Sequence, residues 1–244
     1  MRKSILILAA CLGIAVSGIG QEKANIFEIT YLKPKADKMT ELTKGLGDHN
    51  KKYHASGPYR VSVWSNYTGS YVNDLVWVMG PFTYTDLDNR PESKEHDDDY
   101  QANIAPYVET DISEYWRYDA EHSYVPTNYK YPDKDIWTVF DLRPFEGYRF
   151  KEMLNKIIEV YKAKNYTYNF DVYWSEFESK AGRDVAVETG FEKWAFFDRD
   201  DTFKKDYEEV HGEGSHRLLL EEYRDVVISA EDEVSEKIPE MSGF

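Results

Sequence analysis

The stretch Ile26-Phe27-Glu28-Ile29-Thr30-Tyr31-Leu32-Lys33-Pro34 returns 110 residues later as Ile136-Trp137-Thr138-Val139-Phe140-Asp141-Leu142-Arg143-Pro144. Both copies are β-branched and aromatic runs halted by proline, which read as strands. The same spacing carries Trp64, Ser65, Asp74 and Gly80 onto Trp174, Ser175, Asp184 and Gly190. Two similar modules therefore share one chain.

Working outward, module 1 covers residues 25–118. An amphipathic helix is expected over 37–53, with Met39, Leu42, Leu46 and His49 at helical spacing despite two glycines. Residues 59–67 and 74–82 read as strands. A second helix is placed between 91 and 108, behind Asp86 and Asp88 as caps, and 114–118 is the closing strand. Module 2, residues 136–230, repeats the order: a strand at 136–142, a helix at 148–164, strands at 168–177 and 184–197, and helix over 202–227 broken at Gly212 and Gly214. Its long helix shows a broad apolar stripe, Phe150, Met153, Leu154, Ile157, Ile158 and Tyr161. Asp198 and Asp200 read as caps of the later helix, and a weak strand is expected at 226–230. Residues 119–135, rich in Tyr and Pro, form a connector, and 231–244 reads as a loosely held acidic tail.

Strand–helix–strand–strand–helix–strand is the ferredoxin-like order, an α+β unit with both helices on one face of an antiparallel sheet. Leu75-Val76-Trp77-Val78-Met79 is apolar on both faces, so the helix-free face also needs cover. Two tandem modules packed sheet to sheet supply it. The expected architecture is a pseudo-dimeric α/β barrel in which Trp64 and Trp174 are related by a pseudo-twofold.

This arrangement resembles the dimeric α/β-barrel superfamily, with its NIPSNAP-like, stress-responsive-barrel, monooxygenase-like and chlorite-dismutase-like families. The resemblance spans nearly all of residues 25–230 and rests on element order, the repeat and the Trp-Ser pairs. It implies a small-molecule pocket between the sheets. It also implies, as an alternative, an enzyme: a cofactor-independent oxygenase or isomerase, or a haem protein. Chlorite-dismutase-like members use a helix histidine of the C-terminal module as axial haem ligand, which on this chain points to His211 or His216.

Residues 1–20 read as an export signal, with Arg2 and Lys3 ahead of an apolar run and Gly18 and Gly20 near a cleavage point. Leu8-Ala9-Ala10-Cys11 offers a second reading, a lipid-anchored cysteine. Both send the protein out of the cytoplasm, to the periplasm or beyond. Cys11 is the one cysteine, so a chain cleaved after Gly20 has no disulfide and no thiolate chemistry. A net charge of −15 argues against nucleic acid, because binding there depends on cations that displace phosphate counterions. No later run reaches the roughly 18 apolar residues of a membrane helix.

Aromatic residues make up 16% of the chain, more ring area than a surface needs, so many rings must line a core or a cavity. Trp64 and Trp174 are the leading candidates for a ligand wall, against the plainer reading that each packs its own module's core. Trp77 and Trp137 read as core. His49 and Tyr53 share a helix face one turn apart, with His54 beside them. His96 and His211 fall in the second helical region of each module, and His216 follows the glycine break. Histidine suits acid–base work near neutrality or metal ligation, yet no pair has the spacing of a zinc motif. The Asp97-Asp98-Asp99 run lacks the alternation of a calcium loop and reads as a solvated face. No metal and no cofactor is therefore expected. No phosphate loop, nucleophile elbow or metalloprotease helix occurs. The reading is an exported protein that binds a small apolar or aromatic ligand between its sheets, with the enzyme alternative left open.

Overall fold

The computed structural model describes residues 24–244; the stretch read as an export signal, residues 1–20, and Cys11 within it lie outside the described residues. Module 1 runs β1 (Ile26–Pro34), α1 (Met39–Tyr53), β2 (Val61–Asn66), β3 (Leu75–Phe82), α2 (Tyr84–Asp88), α3 (Lys94–Asn103) and β4 (Val108–Tyr118). Module 2 runs β5 (Lys134–Leu142), α4 (Gly147–Lys164), β6 (Asp171–Ser175), β7 (Val185–Gly190), α5 (Phe203–His211), α6 (Ser215–Val226) and β8 (Val227–Lys237). The expected α+β order holds in both.

The eight strands close into one barrel in the order β1-β3-β2-β8-β5-β7-β6-β4. Each module supplies four neighbouring antiparallel strands. The seams are β2 with β8, where Trp64 pairs with Lys237, and β4 with β6, where Arg117 pairs with Trp174. The sheets thus do more than face each other. Hydrogen bonding edge to edge leaves none of the eight described strands with an open edge.

Helices cover the outside and leave three cores. One lies under α1 and α3 around Leu42, Leu46, Val63 and Ile104; one lies under α4, α5 and α6 around Phe150, Leu154, Val172 and Tyr207; the third fills part of the barrel around Ile29, Trp116, Val139 and Tyr173. The glycines of α1 have a packing cause. A Cβ on Gly45 would overlap the carbonyl oxygen of Asn103 at the end of α3, and one on Gly47 would lie 2.5 Å from the Glu240 carbonyl oxygen. Their helix-propensity cost of roughly 1 kcal/mol each is accepted because two backbones dock directly on α1.

That second contact corrects the reading of 231–244 as a loose tail. Residues 231–237 complete β8, paired along β5. Beyond it the chain crosses to module 1, where Met241 and Ser242 are buried. The Asn50 side chain donates to the Met241 carbonyl at 2.7 Å, and the Val63 amide donates to Ser242 Oγ at 3.0 Å. Acidic residues look solvent-bound when counted as a run, but strand alternation sends only half of them outward.

Other boundaries also move. The expected strand 184–197 ends at Gly190, and Trp194–Asp198 is a 3-10 turn. Asp86 does not cap the helix after Pro91. It is the N3 partner in a capping box with Thr83 at the head of α2, and Ser93 caps α3. Asp198 and Asp200 cap nothing; Asp201 accepts the Phe203 amide at the start of α5.

Candidate functional site

Alternation along β1 divides the chemistry between two cavities on opposite faces of the module 1 sheet. Phe27, Ile29 and Tyr31 face the barrel interior, whereas Glu28, Thr30 and Leu32 face the space beneath α1 and α3.

The interior cavity, about 220 Å³, has walls of Phe27, Trp64, Val76, Val78, Trp137 and Tyr173. Trp137, expected as plain core, stacks on Tyr173 at 4.8 Å and 26°. The Trp64 indole N–H donates to Ser62 of its own strand at 3.0 Å, which leaves the ring as apolar wall. Tyr131 and Pro132 of the connector also line the space, so residues 119–135 are more than a spacer. Trp174 is absent from it. In β2, Trp64 pairs with Val76; in β6, Tyr173 pairs with Ala186, 110 residues after Val76, and Trp174 pairs with Val185. A register slip of one residue reverses every side chain on the strand. Trp174 accordingly faces α4, edge-on to Phe150 at 6.2 Å, with its indole N–H on Asp119. The expected pseudo-twofold between the two tryptophans is corrected to one between Trp64 and Tyr173.

The polar part of the cavity holds groups that sequence reasoning missed. Burial pushes the Asp135 carboxyl up to about 7, opposed by hydrogen bonds from Ser235 (2.5 Å) and Trp137 and reinforced by the charge of Glu233. Glu188 is raised well above the usual carboxylate range by burial, then by Asp135 and Asp171, while the Tyr173 hydroxyl donates to it at 3.1 Å. Two neighbouring buried carboxyls that each disfavour the other's ionisation lose their protons in steps that belong to the pair. Glu233 instead is paired: Arg183 donates to it at 2.5 Å, to Tyr31 Oη at 2.7 Å, and meets Glu114 at 2.8 Å. Burial alone would depress the guanidinium, but Tyr31, Glu233 and Glu114 outweigh it and keep Arg183 charged. The one local sign that could have found Glu188 is its place as the carboxylate following the apolar run Val185-Ala186-Val187 inside β7. Nothing singled out Asp135 among 45 acids.

Asn66 also lines this cavity, is 1% exposed, and has neither its Nδ2 nor its Oδ1 hydrogen-bonded. Leaving such a buried group unmade costs about 1–3 kcal/mol, so its place at a cavity wall is informative.

The outer cavity of module 1, about 470 Å³, gathers most of the histidine candidates. His49 and Tyr53 on α1 stand 4.9 Å apart, and His96 on α3 lies 4.7 Å from His49 and 5.0 Å from Tyr53, ring to ring. His54 joins them, its Nε2 3.3 Å from that of His96. Burial lowers His49, and it pushes His54 down to about 4 with help from His49, His96 and Arg90. Spacing along one helix could not reveal this cluster, because His96 arrives from another element.

His211 and His216 do not join either cavity. His211 Nε2 donates to the Lys156 carbonyl at 2.9 Å and its ring packs on Tyr207 at 4.5 Å; His216 lies at about 6 Å from the rings of Phe203 and Tyr207. Among the described residues the barrel cavity is lined by no histidine, cysteine or methionine, three of the side chains that ligate haem iron. These residues do not fit a haem at the positions the resemblance implied.

Comparison of the sequence with protein-family models and with curated proteins gives no match. The fold, by contrast, matches solved structures. An anthrone oxidase-like protein superposes with a TM-score of 0.57 at 12% identity, covering 89% of this chain and 92% of its own. A monooxygenase candidate from Lactobacillus acidophilus gives 0.54 at 10% identity, covering 88% and 94%. A variant chlorite dismutase from Candidatus Nitrospira defluvii gives 0.55 at 8% identity, covering 90% and 94%. The chain shares the fold of these structures, an α/β barrel whose two halves lie here in one polypeptide.

Proposed function

We propose that the barrel cavity binds a small aromatic molecule bearing both a hydrogen-bond donor and an acceptor, and that the protein does so after export from the cytoplasm. The observation that carries this reading is Asn66. Its amide offers an NH2 donor group and a carbonyl acceptor, both unanswered among the described residues, beside rings of Trp64, Trp137 and Tyr173. An apolar space with a few convergent polar groups is what a small-ligand site requires.

A second reading, an enzyme that shifts a proton within such a ligand, is favoured by Asp135. A base works best when its pKa lies near the working pH, and this carboxyl sits at about 7. It would take a proton from an acidic carbon or hydroxyl of a phenolic or enolic ring and return it elsewhere on the same molecule, with no net oxidation. The fold shared with the monooxygenase-type proteins accommodates both readings, which rest on the cavity's own residues.

Native mass spectrometry of protein purified from its own host tests the first reading directly, because a retained ligand appears as added mass and a processed N-terminus near Gln21 reports export. Quenching of tryptophan emission by hydroxylated aromatics provides the second arm. A chain that carries no ligand and shows no saturable quenching with any ring compound ends the proposal.

A further inference from the structure

The outer cavity of module 1 holds a donor set that the barrel cavity leaves unused. One ring nitrogen from each of His49, His54 and His96 lies within 4.8 Å of the other two. His49 and His54 are 3% exposed, and no other cluster of this kind forms among the described residues.

The outer nitrogen of every ring is already engaged. His49 Nδ1 donates to the Asp99 carboxylate at 2.7 Å, His54 Nδ1 to the Tyr59 carbonyl at 2.7 Å, and His96 Nδ1 to the Asp97 carboxylate at 3.0 Å. Carbonyls and carboxylates only accept, so these partners assign the proton of each neutral imidazole to Nδ1. Nε2 is then a bare lone pair on all three. His54 and His96 set two such lone pairs 3.3 Å apart, which repel unless a cation lies between them. Two nitrogens each bound to zinc at 2.0–2.1 Å, at the tetrahedral angle, stand about 3.3 Å from each other. Hydrogen bonding of the remote nitrogen to a carboxylate or carbonyl is also how metal-bound imidazoles are oriented. Asp99 is itself fixed by Asn103, which donates to its other oxygen at 2.9 Å.

We propose that His49, His54 and His96 bind one divalent first-row transition-metal ion, zinc in the first instance, through their Nε2 atoms, with the remaining coordination position open to the outer cavity. Imidazole ligands select this class over magnesium or calcium. Three protein ligands with one exchangeable place is the layout of a zinc ion that binds water or a small anion, and Arg90, Gln101 and Ser113 on the same cavity wall are the groups such a ligand would meet. The site lies across the sheet from the barrel cavity and stands without the ligand proposed there.

The test is metal titration of the full chain after treatment with a chelator and removal of the chelator. Zinc should bind at one equivalent per chain by calorimetry. Cobalt(II) should give the visible bands of a four-coordinate, nitrogen-rich site. H96A is the informative variant, since His96 is half-buried near the head of α3 and its loss leaves the core intact; an unchanged circular dichroism melt would show this. Affinity should fall at least 100-fold in H96A. D99N, which only orients His49, should lose about 10–100-fold. Less than stoichiometric uptake by the wild-type chain, or H96A and D99N both binding as the wild type does, would overturn the proposal. The first of those results would mean that His96 carries its proton on Nε2 and donates it to His54.

Discussion

Tyr173 occupies in the second module the place that Trp64 holds in the first: each follows its module's long helix, on the second strand, with its ring turned into the barrel. Trp174 consequently belongs to the outer core. W174A should cost about 2–4 kcal/mol, in the lower range for loss of a packed ring, because its edge contact with Phe150 and its hydrogen bond to Asp119 go with it. W64A should cost clearly less, as one face already borders empty space, yet weaken capture of an aromatic ligand. Urea denaturation and fluorescence titration of both variants separate the roles; equal stability losses would refute the register argument.

Asn66 lends itself to a variant whose two effects point in opposite directions. N66V removes two buried polar atoms without partners, so stability should hold or rise by about 1 kcal/mol. Ligand affinity should drop at least tenfold. A loss of stability with binding intact would mean that the amide serves the fold.

Asp135 makes stability depend on pH in an unusual direction. Its carboxyl stands at about 7 in the folded chain against an ordinary 3.8, so the folded state binds the proton more tightly than the unfolded one. The stability it contributes is full below about pH 4 and is lost as pH rises through 7. D135N should abolish that loss. At pH 8 the variant should melt above the wild type by up to roughly 8–16 °C, since a carboxyl moved from 3.8 to about 7 corresponds to at most about 4 kcal/mol in a domain of this size, whereas at pH 4 the two should coincide. Calorimetry across this range checks it, and parallel profiles would count against the assignment.

Arg183 balances two buried carboxylates at once. R183M should cost about 3–5 kcal/mol, the range for stranding a buried charge. Neutralising its partners in the triple variant R183M/E114Q/E233Q should recover most of the loss. Chemical denaturation of both variants decides whether charge or packing is at issue.

Removal of residues 238–244 should destabilise module 1 by about 3–5 kcal/mol. Met241 is buried, worth about 1.5–3 kcal/mol, and the cut strands the Asn50 side chain and the Val63 amide. G47A should act in the same direction, since its methyl group meets the Glu240 carbonyl. Hydrogen exchange on α1 and β2 gives the readout.

The 110-residue repeat, the strand–helix order and the apolar stripe of α4 were legible in the chain because period and propensity are local properties. They sufficed for two ferredoxin-like modules whose second sheet faces cover each other. Trp64 as a possible cavity wall, His49 and Tyr53 as neighbours on one helix face, and His96 as a separate candidate could be read from the chain too. What joined them could not. The one-residue slip that exchanges Tyr173 for Trp174 is set by pairing between β6 and β7, and a strand of period 2 gives no local sign of which face its partner will select. The three histidines meet because α3 docks on α1 through the gap that Gly45 leaves, and Asp135 differs from other acids only by what buries it. Composition and periodicity fixed the elements; distance across the fold, which no spacing along the chain encodes, chose the site.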